Sequence, residues 1–95
     1  EEKRNTLRLI AAPDGAGGAV RIHQDARLYA TVLDGDDAVS HALAPARRAY
    51  VHVVTGAAHV NDVRLEAGDA AKITGEAEVR IDRAEAAEVL LFDLP

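Results

Sequence analysis

Short apolar runs recur along the chain every ~8–12 residues, each closed by residues that favour turns, and this spacing predicts a β-sandwich or barrel. The runs place strands near 7–12, 19–23, 28–34, 38–43, 48–55, 57–61, 63–66, 70–74, 77–82 and 87–93. The breaks are Pro13-Asp-Gly-Ala-Gly-Gly18, Asp34-Gly-Asp-Asp37, Ala44-Pro-Ala46, Asn61-Asp62, Ala67-Gly-Asp69 and Gly75-Glu76. They supply residues that tolerate positive φ or bond their own backbone. Asn61-Asp62 is a two-residue pair of the kind that closes hairpins. The stretch Asp82-Arg-Ala-Glu-Ala-Ala-Glu88 has helical propensity, but it is short and bracketed by strands. The expected fold is therefore all-β: a single antiparallel jelly-roll barrel with little or no helix.

Alternation assigns faces. Val39, His41 and Leu43 share one side of a strand, as do Val51 and Val53. Val60 and Leu65 are expected to oppose each other across the Asn61-Asp62 turn. Val51, Val53, Leu65 and Leu91 are the expected core. Val89-Leu-Leu-Phe92 shows no polar alternation, which implies burial on both faces. One face would meet the barrel interior, and the other, with Tyr50 and Val54, would want a cover. A homodimer or related small oligomer, joined through residues 50–54 and 89–92, is the expected remedy.

Composition narrows the possibilities. At 95 residues the chain makes one domain with one modest core, and with one Phe, two Tyr and no Trp that core must be aliphatic. A formal charge of −5 disfavours nucleic acid and anionic membrane surfaces as partners. No apolar run approaches the ~20 residues of a membrane span. Residues 1–6 are charged, precede no signal-peptide core and read as a linker or loose N-terminus. The expected location is cytoplasmic. Without Cys there are no disulfides, thiolate nucleophiles or Cys-ligated zinc. Without Met, residue 1 is not a translation start, so the chain is expected to derive from something longer.

The ladder from Tyr50-Val-His-Val-Val-Thr-Gly56 to Gly68-Asp69 resembles a cupin. With its flanks the resemblance narrows. Ile22-His-Gln-Asp25 with Leu28-Tyr29, His41-Ala-Leu-Ala-Pro45, Arg47-Arg-Ala-Tyr-Val-His-Val53 and the ending Glu88-Val-Leu-Leu-Phe-Asp-Leu-Pro95 look like the second half of a pirin-like bicupin. Some members of that family are described as quercetin dioxygenases. Carried over by position, His41 matches the first metal-binding His of the cupin motif. Leu43 takes the place of the second His, and Ala49 that of the Glu. Arg47 or Arg48 falls there in an alternative alignment. Val79 stands where the last His would be. One ligand of four remains, whereas a catalytic metal needs about three protein ligands. The resemblance implies a metal-free barrel with no cofactor, in a family that holds its divalent metal in the other half.

Each candidate residue has a plainer reading. His41, facing inward, is a residual ligand or, more simply, a neutral core His bonded to a backbone carbonyl or a water. His52 and His59 should point outward, where they would bind metal only adventitiously. His23 beside Asp25 has the make-up of an oriented base, but Asp25 is expected to cap a turn. Arg47-Arg48 suits an anion clamp or surface salt bridges. Asp14-Gly-Ala-Gly-Gly18 lacks the spacing of a phosphate loop. Ser40, the only Ser, lies on the strand face opposite to His41, so the two make a poor catalytic pair. Tyr29 and Tyr50 are expected to pack. The leading expectation is a structural and assembly domain with no catalytic residues, partnered by a second copy or by an N-terminal cupin half. The alternatives are half of a quercetin 2,3-dioxygenase-like enzyme and a barrel that binds a small apolar ligand.

Overall fold

The computed structural model describes residues 7–12, 20–21 and 25–95. Eight strands form one sheet: β1 (Arg8–Ala12), β2 (Val20–Arg21), β3 (Arg27–Gly35), β4 (Val39–Ala42), β5 (Arg48–Val60), β6 (Val63–Glu66), β7 (Ala70–Thr74) and β8 (Glu78–Leu94). The order is β2-β1-β3-β8-β5-β6, with β4 added to β8 and β7 to β5. All pairings are antiparallel except the two-residue contact of β1 with β2. This is the expected jelly-roll barrel. Among the described residues there is no helix, and so none long and apolar enough to cross a membrane.

Two long strands organise it. β8 pairs with β4 over residues 78–81 and with β3 over 84–93 on one edge, and with β5 along the other. β5 carries β7 beside its first five residues and β6 beside its last four. The sequence pattern divided each of these strands in two. The segment 82–88, rich in Ala and Glu, is strand rather than helix, because β3 and β5 offer ladder partners on both sides and tertiary pairing overrides a small local preference. The ladder in this stretch is irregular. Arg83 and Ala86 take φ of 46° and 45°, and the β5–β8 register slips three times between Val53 and His59. Gly56 lies in this slip with φ 71°. A side chain there would collide with the carbonyls of Glu85 and Ala86, so the two strands approach as closely as they do only because residue 56 has no Cβ.

The expected Asn61-Asp62 turn is present, with φ of 46° and 70°. Both values are positive, as a turn matched to strand twist requires. Asn61 is further held by accepting the Arg80 amide at 2.7 Å and donating to the Glu78 carbonyl at 3.1 Å. The register places Val60 opposite Val63 and Leu65 opposite Ala58, so Val60 and Leu65 share the core without facing each other. Val51, Val53 and Leu91 are fully buried and Leu65 nearly so. In β8, burial alternates from Val89 through Leu91 to Asp93, while Leu90, Phe92 and Leu94 on the outer face are half-buried. Phe92 stacks edge-on against Tyr50 at 6.0 Å between ring centroids. Val54 is exposed at 39%.

Candidate functional site

Period-two alternation carries Asp93, the last inward position of β8, to one end of the barrel beside Ala49 of β5. β4 brings His41 to the same end, in register with Val79. The turn after β4 delivers Arg47, where Ala46 adopts φ 68°. These three side chains form one network. His41 Nε2–H donates to Asp93 Oδ2 at 2.8 Å. Arg47 Nε donates to Asp93 Oδ1 at 2.6 Å and Arg47 Nη2 to the Asp93 carbonyl at 3.2 Å. The guanidinium also reaches Asp25, whose carboxylate accepts from Nη1 at 3.1 Å and whose carbonyl accepts from Nη2 at 3.3 Å. Tyr29 of β3 lies against the imidazole, with ring centroids 4.7 Å apart.

The electrostatics follow from burial and pairing. The Asp93 side chain is 9% exposed, with His41 at 15% and Arg47 at 19%. Burial alone pushes the Asp93 carboxyl up, but the hydrogen bonds and charges of Arg47 and His41 together outweigh it, and its pKa falls below the ordinary value. The same Asp93 bond, opposed by desolvation, raises the Arg47 pKa. Burial raises the Tyr29 phenol, Arg27 and Arg47 oppose that, and Asp93 reinforces it. A carboxylate with both oxygens occupied by fixed donors is an acceptor already satisfied. A proton transfer through it would first have to break one of these bonds.

Asp93 is the residue that the sequence reading missed. An ionised side chain in an apolar ending looked like the end of a strand, yet counting by twos from Val89 and Leu91 places it inside. His41 is inward as expected, but its partner is the Asp93 carboxylate, neither a backbone carbonyl nor a water. Among the described residues, the contact made by Asp25 is to Arg47. The basic pair divides: Arg47 turns to Asp93 and Asp25, Arg48 to the outer face. His23 and the glycine-rich 13–18 stretch lie outside the described residues, as does the 1–6 segment. His52 is half-buried on the outer face, flanked by Ala70 and Leu90. His59, also half-buried, donates from Nδ1 to the Arg83 carbonyl at 3.3 Å. The three described histidines sit on separate parts of the sheet, and among the described residues no three His, Asp or Glu gather as a metal-ligating group. Leu43, Ala49 and Val79 are all buried in the core.

A second set of ion pairs decorates the far end, where Asp62 accepts from both Arg80 and Arg83, Asp82 accepts from the same two arginines, and Arg64 bridges Glu66 and Glu85. These side chains are mostly exposed, so their pairing contributes little to stability.

A jelly roll of this strand order, with His41 at the mouth and the Gly68-Asp69 turn closing its ladder, defines a cupin domain. The model of the quercetinase C-terminal cupin domain matches residues 9–94, and the chain belongs to that family. Quercetin 2,3-dioxygenase of Escherichia coli (strain K12) is 37% identical over 87 residues, which are 92% of this chain and 38% of that protein. The crystal structure of the bacterial pirin YhhW from Escherichia coli in complex with nickel(II) superposes with a TM-score of 0.90 at 36% identity, over 94% of this chain and 39% of the other. The Escherichia coli protein YhaK superposes at 0.83 with 32% identity, over 94% of this chain and 41% of its own. The chain thus spans about two fifths of the length of the relatives it matches.

Proposed function

We propose that this domain is the packing and assembly half of a pirin-like two-barrel protein, that it holds no metal, and that it performs no catalysis of its own. The observation that carries this reading is the content of the cupin ligand positions. Leu43, Ala49 and Val79 offer a cation no electron pair, and they belong to the packed core. His41, the one remaining ligand type, has Nε2 bonded to Asp93, and both Asp93 oxygens are taken. A divalent ion there would also meet the Arg47 guanidinium. The residues present do not fit a metal, which requires deprotonated donors in a shell of about four. The association expected through the outer face of β5 and β8 belongs to the same proposal, with Val54 as its most exposed apolar contributor.

Elemental analysis of the purified domain after dialysis, with nickel titration, tests the reading. The expected result is a metal content far below one per chain and the same nickel response for His41→Ala. One tightly held iron, nickel or zinc per chain, lost in His41→Ala, would overturn it.

A second reading rests on the dioxygenase relative. In it, the intact parent is a quercetin 2,3-dioxygenase-like enzyme whose chemistry lies in the part this chain does not span. Quercetin consumption by the intact protein, with and without its own metal, tests that. No consumption by metal-loaded protein would remove it.

A further inference from the structure

Between β5, β7 and the end of β8 lies a concavity of about 290 Å³, lined by Arg48, Tyr50, Lys72, Thr74, Leu94 and the backbone at Ala49. Its floor is the apolar outer face, and Tyr50 is braced from behind by Phe92. Its rim is cationic. Arg48 pairs across the ladder with Thr74 and Tyr50 with Lys72, so all four side chains project from one face. Arg48 and Lys72 are then diagonal neighbours, about 7–8 Å apart and somewhat closer at Cβ.

Among the described residues, the surroundings leave these two cations without an acidic partner. The chain has 16 Asp and Glu against 11 Lys and Arg. Arg47, Arg64, Arg80 and Arg83 each hold a carboxylate. Arg48 and Lys72 hold none among the described residues, and no acidic side chain lines their concavity. Three other concavities of similar size each contain at least one Glu. Two exposed cations that project from one face beside an aromatic ring favour an anion between them. Arg also pairs bidentately with a carboxylate, with Lys as a point charge beside it.

We propose that this concavity binds a small planar aromatic carboxylate. The ring lies on Tyr50 and Leu94, the carboxylate spans Arg48 and Lys72, and the Thr74 hydroxyl completes the hydrogen bonding. The volume lies just below the ~300–1,000 Å³ typical of ligand pockets, which limits the ligand to one or two rings. The site is on the outer face, separate from the barrel interior and from the Asp93 network, and it lies at the opposite end of the 48–54 segment from Val54.

Titration of the isotope-labelled chain with 2-naphthoate, followed by amide chemical shifts, tests it. The expected result is saturable perturbation confined to residues 48–50, 72–74 and 92–94. The neutral analogue 2-naphthylmethanol should bind more weakly. In the Arg48→Gln/Lys72→Gln double variant, checked for a native spectrum, binding should weaken by about tenfold or more as two charge-assisted donors are lost. Higher salt should also weaken it. Equal binding of the neutral analogue, an unchanged double variant, or perturbations centred elsewhere would overturn the proposal. Concentration-dependent shifts without ligand that reach Arg48, Lys72 and Thr74, beyond the 50–54 and 89–92 surface proposed for association, would assign the groove to a second copy and overturn it too.

Discussion

Replacing Asp93 with Asn keeps the shape of the side chain and removes its charge. The carboxylate accepts at 2.6 Å from Arg47 and 2.8 Å from His41, at only 9% side-chain exposure. An Asn can accept through one oxygen, and its amide nitrogen would face a donor. One of the two bonds is therefore lost, and a guanidinium or an imidazole N–H is left facing another donor. Breaking a fully buried pair costs about 3–5 kcal/mol, but Arg47 is 19% exposed and keeps Asp25 as a partner. The expected loss is therefore about 2 kcal/mol, near the value of a hydrogen bond to a charged group. For a domain of this size that corresponds to a fall in Tm of about 8–16 °C. Urea unfolding followed by circular dichroism measures it, with the slope m unchanged. The difference should also depend on pH. The folded pKa of Asp93 is lowered, so its contribution is fully present above the unfolded value near 4 and is lost as pH falls through the folded value. Wild type and variant should therefore converge below about pH 4. A loss under about 0.5 kcal/mol at pH 7, or a gap that widens in acid, would refute this account of the network.

Leu65→Ala should cost about 2–5 kcal/mol by the same unfolding assay, since the side chain is 8% exposed within the core, and a change below about 0.5 kcal/mol would mean that it does not pack there. Gly56→Ala combines positive φ with a collision against two carbonyls and should lose more than about 3 kcal/mol or fail to fold. Gly68→Ala, where the Cβ meets open space, should lose only about 1 kcal/mol, and equal losses at the two sites would discount the close approach of β5 and β8. Sedimentation at high micromolar concentration should show a dimer that Val54→Lys and Leu90→Arg convert to monomer, and a wild-type monomer there would remove the association proposal.

The local parts of this fold were legible and the long-range parts were not. Asn61-Asp62 announces its turn because few side chains accept positive φ at two successive positions. Val51 and Val53 announce the core because alternation needs no knowledge of a partner. Residues 82–88 do not read as strand, since what makes them one is β3 on one side and β5 on the other, and no local property encodes those neighbours. Gly56 was visible as a break, but that it lets β5 run on past β8 depends on carbonyls about thirty residues away in the chain. The candidate site was half legible. His41 and its apolar companions Leu43, Ala49 and Val79 stand out by position. Asp93 does not, because its partners are 46 and 52 residues distant and the apolar run before it hides the alternation.

β8 follows in the chain every strand to which it binds, and it supplies a ladder to three of them: β3, β4 and β5. A chain growing from its N-terminus thus has the core face of β5 and the inner edges of β3 and β4 before it has the strand that satisfies them. Until residue 78 and its successors arrive, those edges offer unpaired backbone groups to any neighbouring chain. The β1–β3, β5–β6 and β5–β7 ladders need only earlier strands, but the barrel itself cannot close without β8. It must wait for its final strand and then close in one non-local event, which favours slow folding and an early window of vulnerability to aggregation. Arg47, anchored to Asp93 near the end of that strand, can make its contact only after closure, so the network at the barrel mouth reports the last step of assembly.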